Sequence, residues 1–251
     1  MRPDAPMVPP EAVTFDFWNT LVQEDLGARG RRLAGWLGVL EGEGFSVDPD
    51  ALREAFAVDW DAYQQDWKAN IQAGAGHSVV RVLDLLGLDP PPDVRDALTA
   101  VITDPAPGHE PPPTLHIGAC LDALRSAGVR IGIICDVGLT PSRTLRRYLE
   151  THGLLGSFDH WSFSDEVGVF KPDPVIFHHA MAGLGVEEPS RMAHVGDLRR
   201  TDVAGANALG ITSIRYTGVF DDPGRPDDGP ERTAVHDLAD HADLPAVLGF
   251  T

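Results

Sequence analysis

The chain has 251 residues, with 20 Lys and Arg against 38 Asp and Glu and a formal net charge of −18. That length allows one large domain, or a core domain with a smaller one inserted, and the acidic balance disfavours nucleic acid and anionic membrane surfaces; an anionic substrate therefore needs a local cation. No stretch approaches the ~20 apolar residues of a membrane span, Met1 to Pro10 is Pro-rich without an apolar signal core, and Cys120 and Cys135 are too few and too far apart for a disulfide framework or a thiolate zinc cluster, so a cytoplasmic enzyme with reduced cysteines is expected.

The first element is the run Val13-Thr14-Phe15, which brings Asp16 to the end of an apolar strand before the chain breaks into a turn through Phe17, Trp18, Asn19, Thr20 and Leu21. Asn19 stands where the chain must turn sharply, and Asn tolerates left-handed backbone angles better than any residue but Gly. An Asp at a strand end can be a nucleophile, a metal ligand or the cap of the next turn. Roughly ninety residues then read as helical by periodicity, with no convincing strand before Pro111. The second helix opens at Asp48-Pro49 and carries Leu52, Phe56, Trp60, Tyr63 and Trp67 on one face, which makes a helix-bundle core or, where one end emerges, a roof over an active site. Val79 to Leu86 and Val94 to Ile102 complete the helical region, and the Pro-rich run Asp104 to Pro113 acts as a stiff linker.

From Thr114 helix and strand alternate. Helices are expected over Leu115 to Ala127, from Thr140-Pro141 to about His152, over Pro174 to Leu184 with Asp173 as its N-cap, and from about Thr201 to Leu209. Strands are expected over Val129 to Ile134, Phe158 to Phe163, Met192 to Val195 and Ile211 to Ile214. Such alternation predicts an α/β fold, a Rossmann-like parallel sheet with helices on both faces, which the first strand joins. The expected division is a core of residues 8–20 and 114–251 and an all-helical insertion at 21–113. Asp221 to Asp228 reads as an acidic surface loop; the ten histidines show no metal-ligand spacing, and His178-His179 reads as a solvated helix face.

The strand ends carry Asp16, Cys135-Asp136 and Gly196-Asp197, with Asp202 five residues further on, and Lys171-Pro172-Asp173-Pro174 occupies a loop before a helix. In a parallel sheet these ends share one edge, so carboxylates and a lysine converge, the donor set for a hard divalent cation beside an anionic substrate. Taken singly, Lys171 could be a solvated loop lysine and Asp197 and Asp202 could cap the following helix.

In that order the four motifs, Asp16 to Leu21, Ile131 to Asp136, Lys171-Pro172, and Gly196-Asp197 with Asp202, resemble those of the haloacid dehalogenase-like (HAD) hydrolase superfamily, and the helical segment resembles the cap its members insert after the first strand. The resemblance implies a Mg²⁺-dependent phosphatase or phosphotransferase acting on a small phosphorylated molecule through an aspartyl-phosphate. Asp16 would be the nucleophile and a metal ligand, Trp18 would lend its main-chain carbonyl to the metal, and Asp197 would bind the metal with Asp202 in support. Lys171 would hold Asp16 and phosphate by charge, and Trp18, Asn19, Thr20, Cys135 and Asp136 would line the substrate site beside it.

The chain departs from the family pattern at three places. Trp18 stands where phosphatases of the group carry the Asp that protonates the leaving group, and an indole does no acid/base work near neutral pH. Cys135 and Asp136 replace the usual Ser or Thr and Asn; Cys135 reads as a small buried residue, and Asp136 would repel phosphate if it pointed inward. Two other readings therefore stay open: a non-catalytic relative binding a phosphate ligand or a partner protein, and a haloacid dehalogenase, which also lacks an Asp at the position of Trp18. The Asp-rich fourth motif speaks against the latter.

Overall fold

The computed structural model describes residues 9–104, 108–226 and 228–250. The Pro-rich start through Val8, Pro105 and Pro107 of the linker, and Asp227 of the acidic loop lie outside these residues. Strands β1 (Ala12–Phe15), β2 (Arg130–Cys135), β3 (His160–Phe163), β4 (Met192–Gly196), β5 (Thr212–Tyr216) and β6 (His236–Leu238) form one sheet in the order β3-β2-β1-β4-β5-β6, every neighbouring pair parallel. β1 and β4 are buried at every residue, as strands covered on both faces must be. The order reverses at β1, whose Phe15 is level with Ile133 of β2 and Val195 of β4, so Asp16 leaves the sheet at its topological switch point.

Helices α5 (Ile117–Ser126), α7 (Ser164–Val167), α8 (Pro174–Leu184), α9 (Ala204–Leu209) and α10 (Leu244–Val247) belong with this sheet, whereas α6 (Ser142–Thr151) lies mostly in the second unit described below; all are numbered after four helices of the inserted segment. Against one part of the sheet Ile176, Phe177, Ala180 and Leu184 of α8 and Ala206 of α9 pack on Ala12, Ile134 and Met192. Asp173 caps α8 as expected, accepting from the Val175 amide at 2.9 Å. α5 starts later than the periodicity suggests because His116 takes left-handed angles, φ 59°. The helix expected from Thr201 opens instead as a π-helical turn, Arg199–Val203, before α9. β6 was not foreseen; three residues with a His and an Asp among them offer no periodicity to read.

The chain resolves into two compact units. The first contains the sheet and comprises, among the described residues, 9–24, 111–136 and 149–250; the second comprises Asp25–Glu110 and Val137–Tyr148. In the second, α1 (Ala28–Gly42), α2 (Pro49–Lys68), α3 (Ala75–Leu86) and α4 (Pro92–Thr103) bury Trp36, Leu40, Leu52, Val79, Val82, Leu83, Leu98 and Ile102. Asp48 caps α2, with Pro49 as its first residue, and Gly87 ends α3 in a left-handed conformation. The aromatic stripe of α2 is core at Leu52 and Tyr63, and Phe56 meets Trp36 edge-on at 5.0 Å, whereas Trp60 emerges, 46% exposed. The two ends of the inserted segment are bound to each other within the first unit: the Gln23 amide donates to the Pro112 carbonyl at 2.9 Å, the Thr114 amide to the Leu21 carbonyl at 3.0 Å, and Val22 bridges Pro113 antiparallel. Among the described residues no helix is long and apolar enough to cross a membrane.

Candidate functional site

The site begins at the end of β1. The Asp16 amide donates to the Val195 carbonyl at 2.8 Å, which fixes the residue's start, and the Leu21 and Val22 amides return to the Phe17 carbonyl at 2.9 and 3.1 Å, which closes the loop. Asn19 takes the expected left-handed conformation, φ 55°, and its Oδ1 accepts from the Glu24 amide at 3.1 Å. The Thr20 carbonyl accepts from Thr114 Oγ1 at 2.7 Å and His241 Nε2 at 2.8 Å, while its own hydroxyl is buried with no hydrogen-bond partner among the described residues. Trp18 is half-buried, its indole edge-on to Phe17 at 5.2 Å.

Lys171 is the hub. Only 2% exposed, its Nζ donates to Asp16 Oδ1 at 2.5 Å, to Asp202 Oδ1 at 2.6 Å and to the Ile134 carbonyl at 3.0 Å. All three donor sites of the ammonium are therefore used. Its amide donates to Asp136 Oδ1 at 2.8 Å, so the carboxylate that replaces the usual Asn ties the second motif to the third. Cys135 is fully buried, and burial pushes its thiol well above the ordinary range, as expected of a packing residue.

Asp202 commits both oxygens. Oδ1 accepts from Lys171 and from His194 Nε2 at 3.0 Å; Oδ2 accepts from the Leu198 amide at 3.0 Å and the Thr201 hydroxyl at 3.3 Å. Because the carboxylate only accepts, His194 carries its proton on Nε2, and Nδ1 accepts from the Thr14 hydroxyl at 2.9 Å. A buried chain from Thr14 through His194, Asp202 and Lys171 thus ends on Asp16. Gly196 is required at the strand end, because a Cβ there would overlap the Asp202 carboxyl.

Oxygens of Asp16, Asp197 and Asp202 lie within 4.8 Å of one another, all three residues buried. Burial lifts the Asp16 carboxyl to about 7, against the pull of Lys171 and with Asp202 adding to the rise. Asp197 is pushed well above the carboxylate range by burial and then by Asp16 and Asp202. Burial also works against ionising Asp202, but Lys171 and His194 outweigh it and hold that carboxyl below its ordinary range. Burial would discharge Lys171, yet Asp16 and Asp202 keep its ammonium well above the ordinary lysine value. Three buried carboxyls around one ammonium leave negative charge uncompensated, and hard oxygens at this spacing suit a divalent cation such as Mg²⁺.

The fold thus gathers Asp16, Asp136, Lys171, Asp197 and Asp202 in one unit, with Cys135 buried beside them. Asn19 spends its side chain on its own loop. Sequence reasoning missed His194, Thr14, Thr114 and His241. His194 alone carried a signal, as a polar residue inside the apolar run Met192 to Val195.

A family model described as haloacid dehalogenase-like hydrolase matches residues 10–210. The glyceraldehyde 3-phosphate phosphatase of Methanopyrus kandleri is 28% identical over 228 residues, 88% of this chain and 91% of that protein. Haloacid dehalogenase-like hydrolase domain-containing protein 3 of Bos taurus is 36% identical over 100 residues, 40% of this chain and only 38% of its own length. Among solved structures, a HAD phosphatase from Thermococcus onnurineus has a TM-score of 0.65 at 24% identity, covering 95% of this chain and 98% of that one. A 2-haloacid dehalogenase from Pseudomonas syringae pv. Tomato has a TM-score of 0.68 at 22% identity, covering 96% and 98%. These structural likenesses establish the fold, which carries both chemistries. With the family match extending over most of its length, the chain belongs to the haloacid dehalogenase-like hydrolases.

Proposed function

We propose that the protein is a Mg²⁺-dependent phosphatase or phosphotransferase that works through an aspartyl-phosphate on Asp16, with residues 21–113 as the cap that sets its small phosphorylated substrate. The observation that carries this reading is the buried trio Asp16, Asp197 and Asp202, with oxygens within 4.8 Å, around the Lys171 ammonium. A dehalogenase has no use for so many uncompensated carboxyls, since displacement of halide from a neutral carbon needs the nucleophile and a halide pocket rather than a cation site.

In the proposed reaction the Asp16 carboxylate attacks phosphorus, the bond from phosphorus to the leaving oxygen breaks, and that oxygen departs with the electron pair. Water then attacks the aspartyl-phosphate, releasing inorganic phosphate and regenerating Asp16. Lys171 neutralises the nucleophile before attack and the phosphoryl oxygens during it. Asp16, the Trp18 main-chain carbonyl and Asp197 would hold Mg²⁺, with Asp202 in support, and the ion would supply Lewis-acid compensation of the phosphoryl charge. Trp18 offers no proton, so the leaving group must depart unassisted or bring its own acid. Activated aryl and acyl phosphates are thereby favoured over alkyl phosphates. The Methanopyrus relative, named as a phosphatase, supports the reading.

The test is turnover of phosphate esters, acyl phosphates and 2-haloacids, each with Mg²⁺ and with excess chelator. Phosphate release that needs Mg²⁺ is the expected result. Halide release in the presence of chelator would establish the dehalogenase instead, and inertness toward all three classes would leave the binding relative.

A further inference from the structure

Behind the nucleophile loop lies a contact whose donor belongs to none of the four motifs and falls beyond the family match, which ends at residue 210. His241, fully buried in the C-terminal segment, places Nε2 2.8 Å from the Thr20 carbonyl oxygen. A carbonyl only accepts, so Nε2 carries the proton and Nδ1 is left as an acceptor. That Nδ1 is buried with no hydrogen-bond partner among the described residues. The ring stacks on Tyr216, centroids 4.0 Å apart and planes 13° from parallel, and meets Phe15, the residue before the nucleophile, edge-on at 6.1 Å. Asp240 anchors the segment, accepting from the Ala242 amide at 2.9 Å and pairing with His116 Nδ1 at 2.8 Å.

A phenylalanine at 241 would keep both ring contacts and remove the cost of a buried acceptor without a donor. What histidine adds is one N–H on the Thr20 carbonyl, at the far end of the loop that starts at Asp16. The imidazole thus touches the nucleophile loop on both sides: the ring at Phe15 before it and the hydrogen bond at Thr20 after it. We propose that His241 is a positioning residue, which holds the loop from Asp16 to Thr20 in the geometry that nucleophilic attack requires. Burial pushes the imidazole down to about 4, so it remains a neutral single donor across the neutral range. The kinetic consequence rests on the phosphatase reading; the physical tie does not.

The experiment compares the 251-residue wild-type chain with His241→Phe, His241→Ala and His241→Gln, the last restoring an N–H near the position of Nε2. Three quantities are read: thermal midpoint, kcat and KM on an activated aryl phosphate with Mg²⁺, and amide hydrogen exchange of peptides spanning residues 16–22. Expected for His241→Phe are an unlowered midpoint at neutral pH, kcat down about three- to tenfold with KM unchanged, and faster exchange over 16–22, with His241→Gln recovering much of both losses. Wild-type kcat in His241→Phe, or unchanged exchange over 16–22, overturns the proposal. If His241→Phe fails to fold, His241→Gln decides it, since a Gln variant with exchange and kcat no better than His241→Ala removes the hydrogen bond as the cause. A wild-type chain inert toward every phosphate defeats the phosphatase reading alone, and exchange over 16–22 still decides the tie.

Discussion

Of the three departures from the phosphatase pattern, Trp18 is the one that bears on proton transfer. Its indole packs on Phe17 and has no proton to give or take in the reaction. Restoring a carboxylate with Trp18→Asp should therefore raise hydrolysis of alkyl phosphates, by up to the ~10²–10⁴-fold that general acid/base catalysis contributes, and that of aryl phosphates less, because for them only the attack of water on the aspartyl-phosphate gains. Asp16→Asn should abolish turnover of both. Asp197→Asn should lower Mg²⁺ affinity and activity together, read from a metal titration of the rate; unchanged affinity would remove Asp197 from the metal set. The acid limb follows from Asp16, which burial lifts to about 7. As the proposed nucleophile, Asp16 is protonated below that pH and ionised above it, so at subsaturating Mg²⁺ kcat/KM should rise with pH through about 7. Saturating Mg²⁺ stabilises the carboxylate and should move the limb to lower pH. A limb that does not move with the cation would dissociate it from Asp16.

At the scale of the elements, what the sequence made legible follows from burial. β1, β2 and β4 are covered on both faces, so each is an apolar run, and the polar residues that end them, Asp16, Cys135-Asp136 and Asp197, stand out against it. The fold class and the convergence of Asp16, Lys171, Asp197 and Asp202 could thus be anticipated from order and spacing. The supports could not: Thr14, Thr114 and His241 act through tertiary contacts across 180, 94 and 221 residues of chain, which no local pattern encodes. Asp136 was legible as an oddity and not as a tie, because its acceptor role on the Lys171 amide exists only once β2 and the loop before α8 are neighbours. Close packing makes one further element-level prediction. Gly196 ends β4 with no room for a Cβ beside the Asp202 carboxyl, so Gly196→Ala must displace the carboxylate that holds Lys171. The expected outcome is a loss of roughly 1–3 kcal/mol in denaturant unfolding together with loss of activity. Wild-type activity in that variant would separate Asp202 from the function of Lys171.

For the molecule as a whole, pH should act through the buried histidines His194 and His241, both pushed down by burial, and for His241 the sign and size can be worked out. His241 is pushed from 6.5 down to about 4. The unfolded chain takes up a proton below about 6.5 while the folded chain resists until about 4, so the stability tied to a neutral imidazole is complete above 6.5 and lost as pH falls toward 4, on the order of 3 kcal/mol. Asp16 has the opposite sign without metal, since its folded-state proton is held to about 7 and ionisation costs the folded state as pH rises. Melting temperatures from pH 7 to 4.5 should thus fall more steeply for wild type than for His241→Phe; parallel curves would show that His241 does not titrate with unfolding. The joined ends of the inserted segment carry a different consequence. Gln23 and Pro112, Leu21 and Thr114, and Val22 and Pro113 meet like the last rungs of a ladder, so the entropy of closing the insertion into a loop is settled at its base. For such a loop each doubling of length adds only about 0.6 kcal/mol of closure entropy. The helices beyond that base can lengthen, shorten or change sequence while the backbone that presents Asp16 keeps its register.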